Sequence, residues 1–237
     1  MLDFGSVEVT VVDRVVWATI SWPDPRGAVD NQLLADFKRF IDWMEDNHSC
    51  GAVVLRQKVP TANGQPLSHF DLDLCRVWEG LLVRIDRLGC ISIAVVEGPC
   101  IRFWMQLALA CDHRIATANA TFQVHEVKEG HLPGMNVFRL AKYLGIGVAR
   151  RLVFTGERLD ASAALQLGIV DEVCPPGDLE GAMGRFLARL EPMDALAPQL
   201  ARRLLSESFS TTFENFLGQY LASQHRCLTS KAGARRS

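Results

Sequence analysis

The chain has 237 residues, 49% of them hydrophobic and 22% charged, with 25 Lys and Arg against 27 Asp and Glu. That length suits one large domain, or one domain with a small appendage, and the composition is that of a globular protein with a sizeable core. A formal charge of −2 gives no electrostatic reason to expect nucleic acid or an anionic membrane as partner, although local basic groups can still hold a phosphate-bearing ligand.

Seven cysteines (Cys50, Cys75, Cys90, Cys100, Cys111, Cys174, Cys227) are scattered without a CxxC pair. Their odd number, and the apolar runs around Cys90, Cys100 and Cys111, read as reduced core thiols of a cytoplasmic protein rather than a disulfide framework or a zinc site. The start MLDFGSVEV lacks the basic and long apolar stretches of a signal peptide. No apolar run approaches the ~20 residues needed to cross a bilayer.

In chain order, residues 7–21 are β-branched and broken at Asp13-Arg14, which predicts a hairpin. After the turn Pro23–Gly27, apolar residues Leu33, Leu34, Phe37, Phe40 and Ile41 recur at helical spacing. Gly51–Leu55 reads as a short buried strand, 57–68 as a polar loop, and Leu74, Val77, Leu81 and Ile85 as the inward stripe of a helix. Ile91–Val96 is a further apolar strand, a helix ends near Asp112, and Arg114–Ala116 resumes extended structure. Strand and helix alternate in units of about forty residues, which argues for repeated ββα units and a parallel sheet in an α/β fold. From Ala161 the chain becomes mostly helical, and Lys231–Ser237 reads as a disordered basic tail. HxxEH-type metal spacing, a P-loop and a nucleotide-binding glycine fingerprint are all missing.

The segments ISIAVVEG (91–98), LALACDHRIA (107–116), ATFQVHEVKEGHLPG (120–134), YLG (143–145) and LVFTGERLDASAALQLGIVDEV (152–173) follow one another at a characteristic spacing. With PDPRGAVD (23–30) and LSHFDLDL (67–74) upstream, the chain resembles the crotonase, or enoyl-CoA hydratase/isomerase, superfamily over roughly residues 7–228. Any one of these motifs alone would be weak; together they are specific. The resemblance implies a crotonase-like spiral of ββα repeats over 1–175 and a helical trimerisation region over 176–230. It also implies a homotrimer or dimer of trimers. After Ser230 only KAGARRS follows, so the family's usual last helix is missing or very short.

The resemblance also implies a chemistry. Two main-chain N–H groups hold a thioester oxygen and stabilise the enolate that forms on it. By motif position these belong to Phe70 and Phe103. The family has glycines at the second site, where the thioester approaches the backbone closely; here Arg102, Phe103 and Trp104 replace them. Family hydratases use two glutamates around a water. The first position is Gln106, and the second, twenty residues on, is Glu126. An amide cannot shuttle a proton but can orient a water or hydroxyl. The plain alternatives are an ordinary helix residue for Gln106 and a solvated loop acid for Glu126. Arg26, Ala28, His69 and Trp104 are carried over as substrate or CoA contacts, with Lys58 a second base for CoA phosphates. His125 is expected on the opposite strand face from Glu126, Glu129 at the surface, and Asp112 as a structural cap. Trp22 and Trp43 read as core or interface residues.

A lone glutamate suits double-bond isomerisation or dehydration of an acyl thioester, on CoA or an acyl-carrier protein, with no cofactor beyond that thioester. The short loop Pro133–Leu140 is more similar to homologues of polyketide and dihydroxyphenylglycine-type pathways, hence antibiotic biosynthesis. The alternative is a catalytically weakened subunit of the same fold that stimulates a partner synthase.

Overall fold

The computed structural model describes residues 2–24, 27–46, 50–58, 71–190 and 196–234. Strands β1 (Leu2–Asp3), β2 (Val7–Val12) and β3 (Val15–Ser21) pair antiparallel in sequence order. The expected hairpin turns at Asp13, whose φ of 53° is a left-handed conformation that Asp tolerates better than most side chains. Helix α1 (Asn31–Asp46) begins where the Asp30 carboxylate accepts the Leu33 N–H at 2.7 Å, satisfying one of the orphan donors of a first helical turn. It buries the five apolar residues read from the sequence.

β4 (Ala52–Lys58) is followed by α2 (Leu72–Asp86), which Asp71 caps through the Leu74 N–H at 2.8 Å. The inward stripe of α2 is Leu74, Trp78, Leu81, Leu82 and Ile85. Val77, expected on that stripe, is exposed instead. The i, i+4 step from Leu74 reaches Trp78, and burying the larger ring removes more apolar surface from water.

Next come β5 (Ile91–Val96), β6 (Pro99–Ile101), α3 (Arg102–Ala110), β7 (His113–Thr117) and β8 (Thr121–Gln123). A 3-10 turn, Glu126–Glu129, precedes α4 (Asn136–Leu144) and α5 (Ile146–Thr155). Then follow β9 (Arg158–Asp160), α6 (Ala161–Leu167), β10 (Glu172–Cys174), α7 (Leu179–Leu190), α8 (Leu196–Glu207) and α9 (Phe213–Ala234). Among the described residues the large sheet runs β1-β2-β3-β4-β5-β7-β10 and is parallel from β3 onward. A small sheet runs β6-β8-β9. The first strand of each ββα unit therefore enters the large sheet (β5, β7) and the second the small one (β6, β8). Each unit is displaced by one strand from the last, which makes the spiral.

Both faces of the large sheet are covered. Val53, Leu55, Ala94 and Val96 point to the main core with α1, α2 and α3, whereas Ala52, Val54, Ile93 and Val95 point to a second core under α7. Two-sided burial is why Ala52–Leu55 and Ile93–Val96 read as apolar runs rather than alternating ones. The seven cysteines are free, and five of them are buried. Burial pushes the Cys111 thiol up to about 12, so it packs as a hydrophobe rather than reacting as a thiolate. Among the described residues no His, Cys, Asp and Glu cluster could hold a metal, and no helix is long and apolar enough to cross a membrane. Helix α9 continues to Ala234, four residues into the stretch expected to be a tail.

Two polar clusters, one around buried Asp36 and one around the partly exposed Arg202–Asp112 pair, tie the layers together. Asp36 on α1 accepts from Ser6 N and Oγ, Gln32 Nε2 and Arg39 Nη2, all within 2.7–2.8 Å. Burial alone would raise its carboxyl, but the Arg39, Ser6 and Gln32 donors outweigh burial and hold it at about 2. Arg202 on α8 donates to Leu88 O at 2.5 Å, to Cys90 O at 2.6 Å and to the Asp112 carboxylate, which also accepts from Ser92 N and Oγ. Asp112, expected to cap the turn after the helix, instead joins β5 to α8 through its carboxylate.

Because the folded carboxyl of Asp36 sits below its ordinary value of 3.8, its contribution is fully present above pH 4 and lost as pH falls toward 2. The stability gap between wild type and Asp36→Asn, measured by urea unfolding, should shrink by about 2 kcal/mol between pH 5 and pH 2. Arg202→Ala removes one of the three donors to Asp112 and the donor to two carbonyls and should cost about 1–2 kcal/mol. Thermal unfolding would then show a fall of roughly 2–8 °C.

Candidate active site

Glu126 opens the 3-10 turn that follows β8. The turn is closed by Gly130 at φ 81°, with Gly130 N–H on Val127 O at 3.2 Å and His131 N–H on Glu126 O at 2.9 Å. Its side chain is not the solvated loop acid of the plain reading: Glu126 is 4% exposed. Both carboxylate oxygens are buried and neither has a hydrogen-bond partner among the described residues. Chains almost always satisfy buried polar atoms, and leaving a carboxylate unpaired costs several kcal/mol. Such a group points to an absent ligand or water. His125 was expected on the opposite face of a strand, but β8 ends at Gln123 and His125 instead leads into the turn. Its Nε2 lies 3.4 Å from Glu129 Oε1.

Gln106 lies in the middle of α3 and is equally buried. Its Oε1 accepts the Trp78 Nε1–H at 3.0 Å. An indole can only donate, so this bond fixes which end of the amide is oxygen and turns the NH₂ away from Trp78. The Pro133-Gly134 turn presses on the same oxygen. A Cβ built on Gly134 would stand 2.6 Å from Gln106 Oε1 and 2.9 Å from Glu79 Oε1, and its φ is +52°. The positive φ favours glycine there, and any larger residue would push the ends of the Gln106 and Glu79 side chains aside. Glu79 in turn accepts Met135 N–H at 2.9 Å and both Arg139 Nη groups at 3.2 Å, which anchors α2 to the start of α4. Beside it Asn136 is fully buried with both amide atoms unpartnered among the described residues.

The start of α3 carries the second expected donor. Phe103 N–H points to Gly27 O at 3.3 Å, a long and weak hydrogen bond, and Ala28 follows that carbonyl directly. Arg102 takes φ 50°, a left-handed conformation that costs a non-glycine residue about 1 kcal/mol. Aromatic rings pack together behind this segment. Trp104 is buried against Trp22 at 6.1 Å between centroids, Trp22 meets Trp78 at 6.1 Å, and Trp78 meets Phe103 at 5.5 Å, all edge-on. Trp104, carried over as a substrate contact, thus faces the core, where its indole N–H has no partner among the described residues.

The structure brings Gln106, Phe103 and Ala28 to the segments around α3, with Glu126 on the turn tied to it through an ion pair of Arg102 with Glu129. Phe70, His69 and Arg26 lie outside the described residues. Lys58 ends β4, exposed, 3.6 Å from Glu8. Glu129, expected at the surface, is half-exposed and paired with Arg102 and His125. Three features escaped sequence reasoning: the Trp78 bond to Gln106, the Arg102–Glu129 pair and the buried Asn136. Only Trp78 had a signal, its i+4 spacing from Leu74.

The family model for enoyl-CoA hydratase/isomerase matches residues 13–235. An enoyl-CoA hydratase of Amycolatopsis orientalis is 34% identical over 200 residues, covering 83% of this chain and 89% of its own. Among solved structures, an enoyl-CoA hydratase/isomerase of Cupriavidus metallidurans CH34 superposes with a TM-score of 0.86 at 22% identity, over 96% of this chain and 90% of its own. A Thermobifida fusca YX chain solved in complex with CoA gives 0.84 at 23% identity, over 97% and 95%. With the spiral of ββα units, the match along nearly its whole length places this chain in the enoyl-CoA hydratase/isomerase family.

Proposed function

We propose that this protein acts on an acyl thioester, of CoA or of a carrier protein, and moves a proton with Glu126 as the single acid–base group. The observation that carries the reading is the burial of Glu126 with neither carboxylate oxygen hydrogen-bonded among the described residues. In the proposed cycle Glu126 takes the α proton and the C–H electron pair flows into the enolate, its negative charge on the thioester oxygen. The N–H groups of Phe70 and Phe103 receive that charge, the latter by exchanging its long bond to Gly27 O for the substrate oxygen. Returning the proton to the γ carbon completes a double-bond shift. Giving it to a β hydroxyl completes a dehydration, with water as the leaving group. Gln106, its oxygen held by Trp78, offers only its NH₂ to the substrate and supplies no second carboxylate. Simple hydration with two acids is therefore not the favoured reaction.

Arg26, His69 and Ala28 are proposed to flank the CoA or carrier arm, and a polyketide-type acyl group is the proposed substrate class. Exposed apolar side chains on α8 and α9 (Leu205, Phe213, Leu217, Tyr220, Leu221) support assembly as a trimer or dimer of trimers. A second reading, an accessory subunit that stimulates a synthase, is favoured by the engaged Phe103 N–H and by the rings around Trp104.

In deuterated buffer the purified protein should catalyse α or γ exchange on at least one enoyl- or 3-hydroxyacyl-CoA, and Glu126→Gln should lower that rate about 10²–10⁴-fold. No exchange on any thioester, together with stimulation of a co-purifying synthase, would instead establish the accessory role. Gln106→Glu restores a second carboxylate while still accepting the Trp78 N–H. Hydration of crotonyl-CoA, followed by loss of enoyl absorbance, should rise about 10²-fold.

A further inference from the structure

We infer that Arg102 and Glu129 act as a pair of positioning residues that hold Glu126 in register with the α3 turn carrying the Phe103 N–H. The inference rests on the reading of Glu126 as the acid–base group.

Glu126 makes no hydrogen bond through its own carboxylate among the described residues, so its placement depends on the backbone of the turn it stands on. The turn spans only Glu126–Glu129, with the acid buried at one end and Glu129 exposed at the other. Glu129 Oε2 takes the Arg102 Nη2 in a close ion pair, and its Oε1 faces His125 Nε2 at 3.4 Å. One carboxylate thus gathers both ends of the approach to Glu126.

The other end of the tie is fixed as firmly. Arg102 is the first residue of α3 and one of two non-glycine residues with positive φ among those described. A side chain held in that region persists only where its surroundings over-determine it. Behind it Gly27 packs so closely that a Cβ there would stand 3.0 Å from Ile101 O, and Gly27 O receives the next N–H, that of Phe103. With the Arg102 side chain 23% and the Glu129 side chain 40% exposed, the pair is partly shielded from screening water. The distance between proton acceptor and oxyanion donor is set by this cross-tie, since positioning errors of an ångström already cost rate.

The test measures thioester proton exchange in deuterated buffer for wild type, Arg102→Gln, Glu129→Gln, the double variant and Arg102→Lys. In parallel, hydrogen exchange is followed at the Gly130 and His131 amides, which donate within the turn. Each single variant should lower kcat about tenfold with KM within about twofold, and the double variant should be no slower than the worse single one. Arg102→Lys should recover most of the rate, and the two turn amides should exchange faster in both glutamine variants. Unchanged kcat, losses that multiply in the double variant, or a rise in KM alone would overturn the proposal. A wild type inert on every thioester removes the function reading instead; the tie is then judged by amide exchange, and unaltered protection in Glu129→Gln overturns it.

Discussion

A carboxylate taken out of water must be given donors by its own chain, by water or by a ligand, and Glu126 is given none by the residues described around it. Elsewhere in the molecule the same problem is solved at buried Asp36, which receives four donors, while the more exposed Asp112 receives three, two from Ser92 and one from Arg202. The contrast separates two uses of carboxylates. Asp36 and Asp112 cement helices to the sheet. Glu126 is buried without such donors among the described residues, which leaves its carboxylate open to a ligand or to water.

Side-chain volume shapes the rest of the site. Where members of this family have glycines, this chain has Arg102, Phe103 and Trp104, and the rings of Trp22, Trp78, Phe103 and Trp104 make one edge-to-face cluster. Such contacts add about 0.5–1.5 kcal/mol each beyond the area they bury. The same cluster supplies the Trp78 N–H that sets the orientation of Gln106. Core packing and site polarity are thus joined in one residue: the ring stabilises the interior while its nitrogen decides which end of a neighbouring amide faces the substrate.

Rigidity around the site comes from contacts between segments far apart in sequence. Glu79 on α2 holds Met135 and Arg139, Gly134 lies against Gln106, and Arg102 reaches the Glu126 turn. Each of these ties links different ββα units, and that of Glu79 spans from α2 past the unit of α3 to α4. The spiral therefore does more than stack layers, because the ends of its successive units converge on α3.

The sequence by itself determined the scaffold. Apolar runs in Gly51–Leu55 and Ile91–Val96 announced buried strands, and the stripe Leu33–Ile41 announced α1. The spacing from ISIAVVEG to GIVDEV carried the resemblance to the family, and that resemblance implied the candidate acid Glu126. These features are local or additive along the chain, so pattern and spacing suffice to read them. Only the tertiary structure decided which side chains meet. The pairing of Glu129, the engagement of Phe103 N–H with Gly27 and the unpartnered oxygens of Glu126 depend on segments up to seventy-six residues apart. Burial and hydrogen-bond partners are properties of that three-dimensional neighbourhood, and no periodicity in the chain records them.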